Sequence, residues 1–145
     1  MRQDGGVSKR ASRRRADATT ARACPCGSGA AYADCCEPLH GGTAEAPTAE
    51  ALMRSRFSAF ALGDTGYLLR SWHSSTRPAR LELAPGQRWT RLEVVDTERG
   101  GLLDTVGTVT FHAHYREAGR PGTLTERSRF VREDGRWVYV DGDQH

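Results

Sequence analysis

The sequence predicts an α+β protein in which a small cysteine-rich knuckle precedes a domain of helices packed on a curved antiparallel sheet. Three observations lead to this fold class. All four cysteines fall within residues 24–36, apolar residues recur at helical spacing over residues 49–61, and the period changes to two from residue 89 onward. Helices gathered before a run of strands are typical of a layer with the helices on one face of the sheet. A sheet that curves around its helices can enclose a pocket.

The first 23 residues are predicted to form a disordered basic tail. They contain seven Lys or Arg and two Asp, whereas the rest of the chain has 14 basic and 16 acidic side chains. Such a segment buries too little apolar surface to fold, and its charge allows weak, salt-sensitive contact with RNA or the ribosome. The sequence has no apolar stretch as long as a signal peptide or a membrane span requires, so we expect a cytoplasmic protein without membrane contact.

The four cysteines, Cys24, Cys26, Cys35 and Cys36, have the spacing C-x-C-x8-C-C. Two close pairs joined by a turn that contains glycine can bring four thiolates to one tetrahedral ion, and this ligand set favours a structural Zn²⁺. Disulfide bonds within C-x-C or C-C pairs are strained, and nothing in the sequence indicates an oxidising compartment, so disulfides are the weaker interpretation. Iron and redox-active thiols remain as alternatives. We expect His40 to be a linker residue rather than a ligand.

Two helices are predicted before the sheet. Thr48 is a suitable N-cap for the first helix, and Gly63 can end it. Asp64 can cap a second, shorter helix that continues through Trp72, and Pro78 excludes a longer one. A short Gly/Ala/Pro linker is expected between the knuckle and the first helix.

Four strands are predicted from the alternation of apolar and polar residues, at 89–96, 104–116, 124–132 and 136–141. Turn residues separate them at 100–101, 119–122 and 134–135, and the Asp-Gly pair of the last turn is a strong hairpin signal. The predicted organisation is therefore a tail over 1–23, a knuckle over 24–41 and an α+β domain over 48–142.

The cysteine segment resembles the SEC-C motif, a zinc knuckle best known from the C-terminal tail of the SecA translocation ATPase. The resemblance continues beyond it, because four further segments look like the YchJ-like family of uncharacterised bacterial SEC-C proteins: Thr48–Phe60, Tyr67–His73, Gly107–Phe111 and Glu126–Gly142. The resemblance implies a cone-shaped domain like nuclear transport factor 2, zinc ligands at the four cysteines, and no established activity. This chain departs from the family in having Ala30 and Ala31 where basic residues often follow the second glycine of the motif.

Arg56 falls within the apolar stripe of the first predicted helix, between Leu52 and Phe60. A guanidinium group in this position needs a partner. Glu126 is the best-placed carboxylate, because strand alternation puts it on the face of the sheet that meets the helices. The pair is expected to be either a structural ion pair or part of a pocket for an anionic or hydrogen-bonding ligand.

Trp72 and His73 are two further candidates for this pocket. Trp72 would stack on a ligand and His73 would donate a proton, and packing of Trp72 in the core is the simpler alternative.

Two pairs of polar side chains at i, i+2 spacing are expected to face solvent. His112 and His114 would otherwise hold a second metal ion or act as an acid/base pair. Arg127 and Arg129 would otherwise bind phosphate, and the nearby acidic residues 133–134 are expected to balance their charge.

The sequence contains no Ser/His/Asp order, phosphate loop or dinucleotide fingerprint, so no catalytic residue is predicted. We expect a binding module whose knuckle presents a surface to a protein partner, which similarity to the SecA tail would place in the export or ribosome-associated machinery. The alternative is a small enzyme or small-ligand binder with its site in the cone. A monomer and a dimer are both compatible with the sequence.

Overall fold

The computed structural model describes residues 22–145, so the predicted tail lies outside the described residues except for its last two positions. Those two residues belong to the knuckle. Ala23 forms an isolated β-bridge with Ala31, and the guanidinium carbon of Arg22 lies 4.8 Å from the centre of the Tyr32 ring. The knuckle therefore includes residues before the predicted boundary at Cys24, because the backbone of Ala23 pairs with that of Ala31 across the turn.

The knuckle ends in two short helical segments that the sequence did not predict, a 3₁₀ turn over Tyr32–Asp34 and helix α1 over Glu37–Gly41. Pro38 lies in the first turn of α1, where its missing N–H group leaves no hydrogen bond unmade. His40 therefore lies on a helix rather than in a linker, which corrects the prediction for this residue.

Helix α2 spans Ala49–Leu62. The hydroxyl oxygen of Thr48 accepts a hydrogen bond from the amide of Ala51 at 3.1 Å, and Gly63 ends the helix with φ 77°, as predicted. Two sides of α2 are buried. Met53 and Phe57 pack into the apolar core on the sheet, and the opposite side carries serines that contact the knuckle and the following helix.

The sheet is an antiparallel meander in the order β1-β2-β3-β4, with strands at Gln87–Arg99, Val106–Glu117, Arg120–Glu133 and Arg136–Gln144. The β2–β3 hairpin closes through Ala118 and Gly119, with φ 53° and 79°, so the ladder continues to the pair Glu117 and Arg120. A two-residue turn therefore replaces the predicted four-residue loop. Interruptions of the register in β1 and between β3 and β4 add curvature.

Helix α3 spans Thr65–Arg70 and ends before Trp72, earlier than predicted. The chain leaves the helix because residues 71–73 pair with strand β4. The amide of Tyr139 donates to the carbonyl oxygen of Ser71 at 2.9 Å, and the amide of His73 donates to the carbonyl oxygen of Tyr139 at 2.7 Å. This pairing covers an edge of the sheet. Among residues 22–145, no helix is long and apolar enough to cross a membrane.

Candidate metal centre and cavity

The knuckle turn holds the two cysteine pairs against each other. The amide of Cys24 donates to the carbonyl oxygen of Ala30 at 2.9 Å, and the amide of Gly27 donates to that of Cys24 at 3.1 Å. Gly27 and Gly29 have φ of 80° and 91°, which a glycine adopts without the steric cost that a Cβ would add. The turn therefore folds back tightly enough to bring the start of the segment to its end.

The four cysteine sulfur atoms lie within 4.8 Å of one another. The Sγ atoms of Cys26 and Cys35 are 3.7 Å apart, and those of Cys35 and Cys36 are 3.9 Å apart. A tetrahedron of thiolates with metal–sulfur bonds of about 2.3 Å has edges of about 3.8 Å. All four cysteines are free of disulfide bonds. The donor set and its spacing thus fit one tetrahedral metal ion, and the chain has a four-cysteine cluster compatible with metal binding.

The cluster is mostly shielded from solvent, because Cys24, Cys26 and Cys36 are buried and only Cys35 is partly exposed. Interaction with the Cys36 thiol lowers the pKa of Cys26 to about 4. The same interaction, with burial second, raises the pKa of Cys36, and burial raises that of Cys35. Packed this closely, the four sulfur atoms cannot all be anionic without a cation between them, and a divalent ion supplies that charge.

Helix α2 supports the cluster from behind. The hydroxyl oxygen of Ser58, which is completely buried, lies 3.4 Å from the sulfur atoms of both Cys24 and Cys36. The guanidinium group of Arg54 donates from Nη1 to the carbonyl oxygen of Cys26 at 2.9 Å. Sequence reasoning missed both residues. The sequence offered a signal only for Ser58, which is a serine at a helix position that the spacing of the apolar residues predicts to be buried.

His40 joins the knuckle to the rest of the molecule. Its Nδ1 atom lies 2.7 Å from the hydroxyl oxygen of Tyr32, and its Nε2 atom lies 2.8 Å from the carbonyl oxygen of Ser55. Its ring centre is 4.6 Å from that of Tyr67. Because both ring nitrogens are engaged in these contacts, His40 is a structural bridge.

A cavity of about 290 Å³ lies between α2 and the sheet. Most of its wall is apolar or aromatic, and the lining includes three of the four predicted pocket residues, Arg56, Trp72 and Glu126. His73 is the exception and does not line the cavity. Its Nδ1 atom contacts the hydroxyl oxygen of Ser75 at 2.7 Å, and its Nε2 atom is 3.6 Å from the carboxylate of Glu133. The pairing of residues 71–73 with β4 turns successive side chains to opposite sides, and this corrects the prediction for His73.

Arg56 is 6% exposed, as its helix position predicted, but it forms no ion pair with Glu126. Its Nη1 atom donates to the carbonyl oxygen of Leu68 at 2.8 Å and to the hydroxyl oxygen of Ser71 at 2.7 Å. The guanidinium carbon lies 4.6 Å from the ring centre of Tyr139. Burial lowers the pKa of Arg56 to about 10, so the group stays positively charged near neutral pH. Neutral acceptors and an aromatic face therefore take the place of the expected carboxylate.

Glu126 is also buried and has its own donors. One carboxylate oxygen, Oε2, accepts from the hydroxyl group of Ser128 at 2.7 Å and from that of Tyr139 at 3.3 Å. The carboxylate lies against the backbone of Gly142, where an added Cβ would be 2.1 Å from Oε2. Only glycine leaves room for this side chain.

Trp72 is half-buried and lines the cavity. Its ring centre is 5.2 Å from that of Tyr139 in an edge-on arrangement. The indole nitrogen, Nε1, is buried and has no hydrogen-bond partner among residues 22–145. A buried donor without an acceptor costs about 1–3 kcal/mol.

The two polar pairs of the sheet lie outside the cavity lining and have local partners. His114 contacts Glu93 at 2.7 Å, and His112 contacts the hydroxyl oxygen of Thr125 at 2.7 Å.

Two arginines of β3, Arg127 and Arg129, form ion pairs, although not with the acidic residues that the sequence analysis expected. Arg127 pairs with Glu98 at 2.9 Å. Arg129 pairs with Asp141 at 2.5 Å and with Asp143 at 2.8 Å. Strand register, rather than sequence proximity, selects these partners.

A four-cysteine knuckle ahead of helices on a curved antiparallel sheet defines a protein with a SEC-C motif and a domain like nuclear transport factor 2. Family models match at the same two places. The model described as "YchJ, middle NTF2-like domain" matches residues 48–142, and the SEC-C motif matches residues 23–38. The chain belongs to the YchJ-like family, whose curated relatives are named UPF0225 proteins. This confirms the fold class and the family that the sequence predicted.

Two curated relatives show the extent of the similarity. The UPF0225 protein of Streptomyces coelicolor is 62% identical over 120 residues, which cover 83% of this chain and 94% of the relative. That of Deinococcus radiodurans is 49% identical over 119 residues, which cover 81% of this chain and 86% of the relative.

Two solved structures are similar over most of the chain. The solution structure of a SEC-C motif containing protein from Rhodopseudomonas palustris has a TM-score of 0.74 and 35% identity, and covers 83% of this chain and 96% of that one. The crystal structure of a SEC-C motif containing protein from Psychrobacter arcticus has a TM-score of 0.71 and 27% identity, and covers 86% of this chain and 83% of that one.

Proposed function

We propose that this protein is a zinc-stabilised binding module of the cytoplasm, in which Cys24, Cys26, Cys35 and Cys36 hold one structural Zn²⁺. The observation that supports it is the set of four sulfur atoms within 4.8 Å of one another, three of them on buried residues. Four thiolates select Zn²⁺ over the harder divalent cations and leave no coordination position for water or substrate. The ion would thus stabilise the fold of the knuckle rather than catalyse a reaction.

The knuckle would then act through its surface. The turn residues Gly27, Ser28 and Gly29 and the acidic side chains of Asp34 and Glu37 are exposed, and the metal would fix them as one rigid patch. The resemblance to the SecA tail supports a protein partner in the export or ribosome-associated machinery. The basic tail would add weak contact with RNA or the ribosome, which deletion of residues 1–23 tests through the salt dependence of binding.

The test begins with the metal content of protein purified without added metal. We expect one zinc ion per chain, and its loss in Cys35→Ser but not in the control Ser74→Ala, an exposed serine near Glu133. Partners captured by wild type and by Ser74→Ala should be absent with Cys35→Ser. Iron or no metal in the wild type would contradict the zinc proposal, and capture that is unchanged by Cys35→Ser would contradict the role of the knuckle in partner binding.

A second candidate function is a small-ligand binder or enzyme with its site in the cavity. The specific observation in its favour is the buried guanidinium group of Arg56, which lines a largely apolar cavity without an ion-pair partner among the described residues. The metal site and the cavity lie on different sides of α2, so the two functions are compatible.

A further inference from the structure

The cavity contains hydrogen-bond donors that lack acceptors. In both side-chain hydrogen bonds of Arg56, the donor is Nη1. The N–H groups on Nε and Nη2 therefore have no acceptor among the described residues. The indole N–H group of Trp72 also has none. The guanidinium carbon of Arg56 lies 5.1 Å from the ring centre of Trp72. The Nε and Nη2 groups of Arg56 are therefore available to an acceptor in the cavity, whereas the indole nitrogen of Trp72 is closed off from it.

The Arg56 guanidinium group has no ion-pair partner among the described residues, although Glu126 lines the same cavity. No carboxylate of residues 22–145 lies within the 4.0 Å of the Arg56 guanidinium group that an ion pair requires. The nearby Glu126 carboxylate is already engaged by the hydroxyl groups of Ser128 and Tyr139. A buried, unpaired guanidinium group gains most from an anion that accepts two hydrogen bonds in its plane.

The remaining side chains of the cavity wall determine which kind of molecule the cavity can accommodate. Most of the lining is aromatic or aliphatic, including Phe57, Phe60, Trp89, Phe111 and Phe130. The volume of about 290 Å³ lies near the lower end of the range for small-molecule pockets. Aromatic walls of this kind select a flat apolar ring by stacking and edge contacts. These walls leave the charged contact to Arg56.

We propose that the cavity binds a small aromatic carboxylate, whose carboxylate accepts hydrogen bonds from the Nε and Nη2 groups of Arg56 while its ring packs among the phenylalanines. This inference rests on the second candidate function and is independent of the role of the knuckle. Tyr139 contacts both charged side chains, because its ring lies 4.6 Å from the guanidinium carbon of Arg56 and its hydroxyl group donates to Glu126.

The probe is 1-naphthoate, with 1-naphthamide as its neutral match. The chain has three tryptophans, so ¹⁵N-labelled protein gives three indole N–H signals. We expect 1-naphthoate to shift the Trp72 signal in a saturable titration, because Trp72 lines the cavity and the naphthyl ring would lie beside it. The signal of Trp137, which donates to the carbonyl oxygen of Pro47 at 3.3 Å, should change little and reports that the fold is intact. Because the guanidinium group recognises charge, 1-naphthamide should bind at least about tenfold more weakly.

Two variants test the residues. Arg56→Met should weaken 1-naphthoate binding at least about tenfold, whereas Arg91→Met, which removes an exposed arginine of β1, should not. Ala113→Leu fills the cavity without removing a polar group and should abolish binding even if Arg56→Met fails to fold. Equal binding of the naphthoate and the naphthamide would overturn the carboxylate assignment and keep the cavity as a binding site. The absence of a saturable shift with either probe would overturn both the carboxylate assignment and the proposal that the cavity is a binding site.

Discussion

The Nε2 atom of His40 lies 2.8 Å from the carbonyl oxygen of Ser55, and this contact joins the knuckle to the long helix α2. A carbonyl oxygen only accepts, so the Nε2–H group donates, and Nδ1 lies 2.7 Å from the hydroxyl oxygen of Tyr32 on the other side of the ring. The knuckle is thereby attached to the domain at a point separate from its cysteines. Its orientation does not depend on the metal site alone.

His40→Ala should lower the free energy of unfolding by about 2 kcal/mol, because it leaves the Ser55 carbonyl and the Tyr32 hydroxyl without their partner. The metal content should stay unchanged. Denaturant unfolding together with elemental analysis measures both quantities. His145→Ala, at the exposed C-terminus, is the control and should change neither. Loss of metal in His40→Ala would show that the residue supports the cysteine cluster instead.

Ser58→Ala should weaken metal affinity by about tenfold, because donors to metal-bound thiolates tune affinity to about this extent. The measurement is competition with a chromophoric chelator. Ser55→Ala is the matched control: Ser55 is equally buried on the same helix and bonds to the hydroxyl group of Tyr67 at 2.7 Å, away from the cysteines. An equal loss of affinity in both variants would attribute the effect to α2 as a whole.

Gly142→Ala should destabilise the domain by about 1–3 kcal/mol, because the new Cβ meets the Glu126 carboxylate and displaces it from Ser128. The free energy of unfolding measures the effect. Gly86→Ala, where an added Cβ meets nothing within 4 Å, should leave the stability nearly unchanged. A Gly142→Ala variant as stable as wild type would mean that the carboxylate relocates without cost.

Stability should fall at alkaline pH through Tyr139. Burial, with the Glu126 carboxylate second, raises the pKa of Tyr139 to about 12, whereas an unfolded tyrosine ionises near pH 10. The folded state therefore keeps a proton that the unfolded state loses. The contribution is complete below about pH 10 and is lost as the pH rises through about 12.

Tyr139→Phe should accordingly lose less stability than wild type between about pH 10 and 12. Denaturant unfolding at a series of pH values measures this difference. The second readout is absorbance at the phenolate band, which follows the ionisation of the four tyrosines in the native protein. A single titration midpoint near pH 10 for all four would contradict the prediction.

Much of the local structure follows from the sequence. The caps of α2, the Asp134-Gly135 turn with φ of 55° and 80°, and the order of helices and strands depend on residue preferences and hydrophobic period. Both act over a few neighbouring residues. The clustering of the cysteines is similarly local, because a turn of 13 residues contains all four.

The contacts that define the candidate sites depend on long-range placement. Arg56 and Glu126 share the cavity, yet the guanidinium group contacts the carbonyl oxygen of Leu68 in α3, the hydroxyl group of Ser71 and the ring of Tyr139 in β4, and no ion pair forms. The contact of Ser58 with Cys24 and Cys36 spans elements that are far apart in the sequence. A change of about an ångström in how these elements pack makes or breaks a hydrogen bond, and no residue pattern encodes such a distance.

The sequence by itself thus determined the fold class, the family and the cluster of four cysteines, because periodicity and motif spacing are properties of the chain. Only the tertiary structure decided that His40 anchors the knuckle, that His73 lies outside the cavity, and that Arg56 lines the cavity without an ion pair to Glu126. The physical reason is that burial and hydrogen-bond geometry arise where distant segments meet, after the backbone pairing of the sheet has fixed their positions.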